Sequence, residues 1–103
     1  MPETEAWIKQ ALTALRKLDR QQQRAQLEHM LEYLDDAQRR ALRQELEARR
    51  ARVQAEARTY QTRGDGDAAR KIGQKEAMLA RYSWLLHIMD QHVSPNDNLD
   101  DGG

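Results

Sequence analysis

The residues of this chain best suited to chemistry are its histidines, which could bind a metal ion together with nearby carboxylates. The candidates are His29, His87 and His92, with Glu28 and Asp90 close to them in sequence. Metal sites inside four-helix bundles typically use Glu-x-x-His pairs that project into the core, and no such pair occurs in this sequence. Cysteine is absent, so the chain has no thiolate ligand. The sequence therefore predicts neither a metal nor another cofactor.

A second candidate for chemistry is the pair Arg81 and His87, which are separated by five residues. This Arg-x5-His spacing resembles the motif of the HEPN family of helical ribonucleases, over a stretch of seven residues. The resemblance implies that Arg81 contacts an RNA phosphate and that His87 takes part in proton transfer near a dimer interface. Tyr82 follows the arginine, where the family usually has a polar residue. A packed or interface histidine is the alternative for His87, and we predict that the chain is not an enzyme.

Basic residues are concentrated in one stretch, residues 48–75, which we call the arm. The arm has eight basic residues and three acidic ones, although the whole chain has a formal net charge of zero. The basic residues are Arg49, Arg50, Arg52, Arg58, Arg63, Arg70, Lys71 and Lys75. Such a surface attracts an acidic protein or the phosphates of a nucleic acid. Because Tyr60 is the only aromatic residue of the arm, we favour an acidic protein partner and keep nucleic acid as the alternative.

The densest apolar run of the chain, residues 78–93, predicts a second candidate interface. Its candidate residues are Tyr82, Trp84, Leu85, Ile88 and Met89. They extend around more of a helix than one thin neighbouring helix can cover. Either the two N-terminal helices cover these side chains, or they form an exposed apolar patch that binds a partner. A second copy of the chain could bury such a patch, so we predict a homo-oligomer.

Length and composition indicate a helical protein without a membrane span. The chain has 103 residues, of which 39% are apolar, and its two prolines, Pro2 and Pro95, lie near its ends. Ala, Leu, Gln, Glu and Arg dominate the sequence between them and favour helices, whereas no β-branched run indicates a strand. No apolar run reaches about 18 residues and no basic, apolar leader begins the sequence. We therefore expect no membrane contact and a cytoplasmic location.

Two matching signatures predict the starts of helices two and three. Asp19 with Gln22, and sixteen residues later Asp35 with Gln38, have the spacing of a capping box, in which each side chain bonds to the backbone of the other residue. Helix one then covers about 3–17 and helix two about 20–33, and helix three begins after Asp35. One longer helix through either aspartate is the alternative, because neither break contains glycine or proline.

The second half of the chain predicts a long helical hairpin. Helix three extends to about Thr62, and a turn follows at 63–67, where Gly64 can end the helix in a left-handed conformation. Asp67 can cap helix four, which continues to about His92. Pro95 then stops the helix, because the residue before a proline is disfavoured in helical geometry.

Apolar residues on the two long helices match in register, as in an antiparallel coiled coil. Residues that face each other across such a pair have numbers with a constant sum, and three pairs share one sum: Tyr60 with Ile72, Val53 with Leu79, and Leu46 with Leu86. Helix three, at about 1.5 Å per residue, is roughly twice as long as either N-terminal helix. We therefore predict an all-α bundle, with a four-helix base from which the two-helix arm projects.

A helical chain without a clear catalytic constellation suits a binding function best. We predict a non-enzymatic adaptor, regulator or assembly factor that binds another protein through the arm, the aromatic surface of helix four, or both. Small bacterial and phage regulatory proteins share this general build. Residues 1–93 form the single predicted domain, and residues 94–103 form a predicted acidic, disordered tail.

Overall fold

Four α-helices make up the computed structural model, which describes residues 5–64 and 66–92. They are α1 (Ala6–Arg16), α2 (Arg20–Tyr33), α3 (Asp36–Arg63) and α4 (Gly66–Gln91), and the described residues contain no strand. The predicted all-α class is confirmed, as is the order of two short helices before two long ones. The predicted first residues of helix one, the stop at Pro95 and the tail at 94–103 lie outside the described residues.

Each break between the first three helices is a complete capping box. Asp19 accepts a hydrogen bond from the backbone N–H of Gln22 at 2.8 Å, and Gln22 accepts one from the backbone N–H of Asp19 at 3.1 Å. Asp35 and Gln38 repeat this arrangement at 2.7 and 2.9 Å. These bonds satisfy backbone donors at the start of each helix that have no partner within it. Both predicted breaks are confirmed, and the alternative of one uninterrupted helix is wrong.

At each of the two breaks, which we call corners, one side chain of the sixteen-residue repeat also contacts the preceding helix. Gln23 Nε2 donates to the backbone carbonyl of Leu15 at 2.9 Å, and Arg39 Nε donates to that of Leu31 at 3.0 Å. Both carbonyls belong to the last turn of a helix, where backbone acceptors lack partners within the helix itself. The two side chains thus tie consecutive helices together at each corner.

Gly64 ends α3 in the left-handed conformation, with φ at 72°. Glycine suits this position because it has no Cβ to clash there. α4 begins at Gly66, earlier than predicted, so Asp67 lies in its first turn rather than at its cap. The Asp67 carboxylate accepts a hydrogen bond from Arg70 Nη2 at 2.7 Å. The predicted turn is confirmed, and the capping role predicted for Asp67 is wrong.

Two polar contacts between α3 and α4 agree with the predicted antiparallel register. Arg43 is bonded to Asp90, and Lys75 Nζ donates to Glu56 at 3.1 Å. Both pairs lie within one residue of the register that the apolar pattern predicts. The apolar side chains buried on the two long helices are Leu42, Leu46, Val53 and Ala57 of α3, and Ala68, Leu85, Leu86 and Ile88 of α4.

One hydrophobic core joins all four helices at the base. Its buried members are Ile8, Leu12, Leu15, Leu27, Leu31, Leu42, Leu46, Leu85, Leu86 and Ile88. This cluster contains no residue of α3 beyond Leu46 and none of α4 before Leu85. Since α1 and α2 pack only on that end of the hairpin, the arm consists of α3 and α4 alone. The predicted four-helix base with a projecting two-helix arm is confirmed.

Candidate functional site

The basic residues of the arm fall into two groups, according to whether the chain already supplies a partner. Arg49 belongs to the first group, because its Nε atom is 2.7 Å from the Glu45 carboxylate and the Tyr82 hydroxyl lies beside its guanidinium. Burial alone lowers the pKa of Arg49, but Glu45 and Tyr82 outweigh this effect and raise the pKa above its ordinary value. Arg49 is therefore a fixed charge in the hairpin seam.

Three more basic residues of the arm are engaged within the arm itself. Their contacts are an ion pair of Arg70 with Asp67 at 2.7 Å, an ion pair of Lys75 with Glu56 at 3.1 Å, and the Arg63 guanidinium over the Tyr60 ring at 5.4 Å. The Arg63 contact occupies the one aromatic ring that the arm could offer to a base or another cation. These residues contribute to the positive potential of the arm, but part of their charge is compensated locally.

The second group has no ion pair or hydrogen bond within the described part of the chain. We call its members the free arm cations: Arg50, Arg52, Arg58 and Lys71. Arg52 and Arg58 are exposed, whereas Arg50 and Lys71 are half-buried. Exposed ion pairs contribute little to stability, so folding does not require partners for these charges. They are available to a molecule outside the chain.

A shallow groove follows the arm where only two helices meet. It has a volume of about 380 Å³ and is lined by Arg49, Arg52, Val53, Glu56, Lys75, Met78 and Tyr82. Met78 is half-buried, and no residue of α1 or α2 lines the groove. The groove therefore combines partly exposed apolar side chains with the free arm cation Arg52.

Part of the apolar surface predicted on helix four lies inside the core of the chain. Leu85 and Ile88 are only 2% and 0% exposed, respectively. They belong to the same core cluster as Leu27 and Leu31 of α2, so the N-terminal helices cover them. The assignment of Leu85 and Ile88 to an interface is wrong, because these side chains cannot reach a partner in the folded chain.

The other three residues of the predicted interface, Tyr82, Trp84 and Met89, are half-buried. A homo-oligomer formed through them stays a prediction. The large hydrophobic residue that the described chain does expose is Tyr33, at 76%, and its ring edge packs on His29 at a centroid distance of 5.0 Å. The apolar periodicity of α2 gave no indication of Tyr33, since it lies on the polar side of that helix.

Trp84 is surrounded by basic side chains. The guanidinium carbons of Arg20 and Arg24 lie 5.4 and 5.1 Å from its ring centre, and the His87 ring stacks at a centroid distance of 6.1 Å. Both guanidiniums are within the range of a cation–π interaction. The Trp84 Nε1–H is buried and has no hydrogen-bond acceptor in the described structure. The ring therefore joins α2 to α4, at the cost of one unpaired donor.

A small pocket at the junction of α1, α3 and α4 brings three arginines together. Its lining residues are Leu12, Thr13, Arg16, Arg49, Arg81, Tyr82 and Leu85, and its volume is about 40 Å³. Arg49 belongs to the predicted arm, but Arg16 was not a candidate on sequence grounds. No spacing rule connects residues on three separate helices, so only the packing of α1 across the hairpin reveals the cluster.

The structure gives Arg81 and His87 different surroundings. Arg81 lines the three-arginine pocket and also a groove beside Trp84, and His87 lines neither. His87 is exposed and stacks on Trp84. The two side chains thus share neither of these pockets, and the HEPN-like ribonuclease stays a prediction.

Within residues 5–64 and 66–92, no group of three or more His, Asp or Glu side chains is placed to hold a metal ion. No helix in the same ranges has the length and apolar character that crossing a membrane requires.

Comparison of the chain with protein-family models, with curated proteins and with solved structures finds no match. The features that bear on function are therefore those of the chain itself: the free arm cations, the groove of the arm and the three-arginine pocket.

Proposed function

We propose that this protein is a non-enzymatic interaction module whose arm binds an acidic surface of another protein. The observation that carries the proposal is the group of free arm cations, Arg50, Arg52, Arg58 and Lys71, which have no partner within the described chain. The arm has five more basic than acidic residues, whereas the chain as a whole is neutral. An acidic partner supplies the charges that the arm lacks and is steered toward it over a long range.

Apolar contacts along the same groove add the second element of a protein interface. Met78 and Tyr82 are half-buried and line the groove together with the exposed Arg52. Protein interfaces typically combine an apolar centre with a polar or charged rim. An amphipathic segment with acidic residues at the edges of its apolar face would match this arrangement, because its apolar side chains cover the groove while a carboxylate reaches Arg52.

Nucleic acid is the second candidate, and the same cations favour it. Proteins that bind single strands usually combine basic residues with aromatic side chains on which bases stack. In the arm, the Tyr60 ring already contacts Arg63, and Glu56 and Asp67 interrupt the positive surface. These features favour a protein partner over a phosphate backbone.

The test compares two double variants with equal change in net charge. The arm variant is Arg52→Glu with Arg58→Glu, and the control is Lys9→Glu with Arg40→Glu, which alters exposed residues of the base. Partners are recovered from the native host with the wild-type chain, purified, and titrated against all three proteins. The proposal predicts a stoichiometric protein partner whose affinity falls at least tenfold for the arm variant and little for the control.

Recovery of nucleic acid without protein would favour the second candidate, provided that affinity also falls steeply with rising salt. Equal affinity of both double variants for a recovered protein would contradict the proposal that the arm binds the partner. Unchanged far-ultraviolet circular dichroism of both variants establishes that neither result comes from unfolding.

A further inference from the structure

A small basic pocket lies at the junction of α1, α3 and α4. Three arginines line it, one from each helix: Arg16, Arg49 and Arg81. Like charges that share a small pocket repel one another unless a negative group lies between them. None of the lining residues is acidic. The chain thus concentrates positive charge here without providing an anion within the pocket.

Within the described chain, only one of the three arginines contacts a carboxylate. Glu45 bonds Arg49 Nε at 2.7 Å, and Glu45 is not among the lining residues of the pocket. Arg16 and Arg81 make no ion pair within the described chain. Arg49 is thus held in place by Glu45, while Arg16 and Arg81 have charge-assisted donors left for another acceptor.

We propose that this pocket binds a phosphate-type oxyanion. Guanidinium groups present planar pairs of N–H donors that match the oxygens of a phosphate. Thr13 and Tyr82 also line the pocket. The Tyr82 hydroxyl can donate to an anion, whereas the Thr13 hydroxyl already donates to the backbone carbonyl of Lys9 at 2.8 Å. The volume of about 40 Å³ exceeds the 10–15 Å³ or so needed for one water molecule. It suits a single compact anionic group better than the body of an organic ligand.

Bound oxyanion would connect three helices that the chain itself joins mainly by apolar contacts at this point. Arg16 lies at the end of α1, Arg49 at the root of the arm and Arg81 in the middle of α4. An anion shared by all three side chains therefore fixes α1 against the hairpin. A ligand that binds only the folded chain raises its stability as its concentration rises.

The site shares Arg49 and Tyr82 with the groove of the arm, but it can be tested separately from the interaction proposed for the arm. The three arginines meet at the base of the hairpin, and two of them lie outside residues 48–75. Its test therefore changes Arg16 and Arg81, neither of which belongs to the free arm cations, and uses a small ion as the probe. Loss of one proposal leaves the other standing.

Isothermal titration calorimetry with inorganic phosphate tests the site directly. The wild type is compared with Arg16→Gln, Arg81→Gln and the control Arg40→Gln, which changes an exposed arginine that is not in the pocket. All titrations use one ionic strength, set with chloride. Removing a charge-assisted pair should weaken phosphate binding roughly tenfold or more in either pocket variant, and the control should match the wild type.

Thermal unfolding in phosphate and in chloride provides a second measurement for variants that bind too weakly to titrate. Phosphate also stabilises proteins in general by exclusion from their surfaces, so the informative quantity is the difference between variants. The proposal predicts a larger rise of Tm in phosphate for the wild type and Arg40→Gln than for Arg16→Gln or Arg81→Gln. An equal rise in all four proteins, or no measurable phosphate binding by the wild type, would overturn it.

A titration with O-phosphoserine distinguishes two sources of the anion. Tighter binding of phosphoserine than of inorganic phosphate indicates a phosphoryl group carried by another molecule. Tighter or equal binding of inorganic phosphate indicates the free ion. Either outcome supports the oxyanion site only if Arg16→Gln and Arg81→Gln weaken it.

Discussion

The Gln23 side chain is buried and donates a hydrogen bond from Nε2 to the backbone carbonyl of Leu15 at 2.9 Å. This contact fixes the corner between α1 and α2, because it joins the second turn of one helix to the last turn of the other. Arg39 makes the same contact with Leu31 sixteen residues later. The shared position of the two donors, four residues after the capping aspartate, makes the corners structural repeats of each other.

Replacing Gln23 with methionine should lower the free energy of unfolding by about 1 kcal/mol, the usual worth of one hydrogen bond. The loss stays at this level because the Leu15 carbonyl keeps a second donor, the backbone N–H of Leu18 at 3.1 Å. Urea unfolding measures the change. The matched control is Gln26→Met in the same helix, where the side chain is exposed. Equal effects of both substitutions would show that the corner contact adds no stability.

The two capping boxes should contribute separately to stability. Asp19→Ala and Asp35→Ala should each cost about 1 kcal/mol, as loss of an N-cap side chain typically does. The two sites belong to different corners and share no partner, so their effects should add in the double variant. Guanidinium chloride unfolding of the singles and the double checks this, with Glu32→Ala as a control for the lost negative charge. A double variant no less stable than either single would contradict the independence of the corners.

The caps and the hairpin register could be predicted from sequence because each depends on spacing along one chain. Asp19 with Gln22 is a local signature, and the apolar stripe of each long helix defines the face that meets its neighbour. The corner bond of Gln23 was missed, because a glutamine near a helix start gives no sign that it is buried. The equivalent position in the sixteen-residue repeat is Arg39, so the repeat does not preserve the residue type there.

The candidate sites were less predictable than the fold for a related reason. Periodicity identifies Ile88 as apolar, but it does not say whether α2 or another molecule covers that side chain. The pocket formed by Arg16, Arg49 and Arg81 depends on where α1 crosses the hairpin, which no pattern within one helix encodes. Tertiary packing decides both cases.

The burial of Ile88 leads to a prediction about how stability is distributed between the four-helix core and the rest of the hairpin. Ile88→Ala removes a fully buried side chain from the core and should cost about 2–5 kcal/mol. Leu79→Ala removes a half-buried side chain of α4 that lies outside the four-helix core cluster, where solvent can fill the space, and should cost clearly less. Thermal and urea unfolding of the two variants at equal protein concentration provide the comparison. A larger loss for Leu79→Ala would mean that something other than α3 covers Leu79.

Trp84 should tolerate replacement by phenylalanine unusually well for a packed tryptophan. Its Nε1–H is buried and has no acceptor among residues 5–64 and 66–92, and an unpaired buried donor costs about 1–3 kcal/mol. Phenylalanine removes this donor and keeps an aromatic ring for Arg20 and Arg24, although its smaller face gives a weaker cation–π interaction and leaves some space unfilled. These effects oppose one another, so the free energy of unfolding of Trp84→Phe should stay within about 1 kcal/mol of the wild type. Loss of the whole side chain in Trp84→Ala should cost about 3–5 kcal/mol.

Urea unfolding measures both variants. Trp7→Phe is the control, because the Trp7 indole donates a hydrogen bond to Glu5 that phenylalanine cannot make. A cost for Trp84→Phe close to that of Trp84→Ala would show that the indole N–H is bonded in solution.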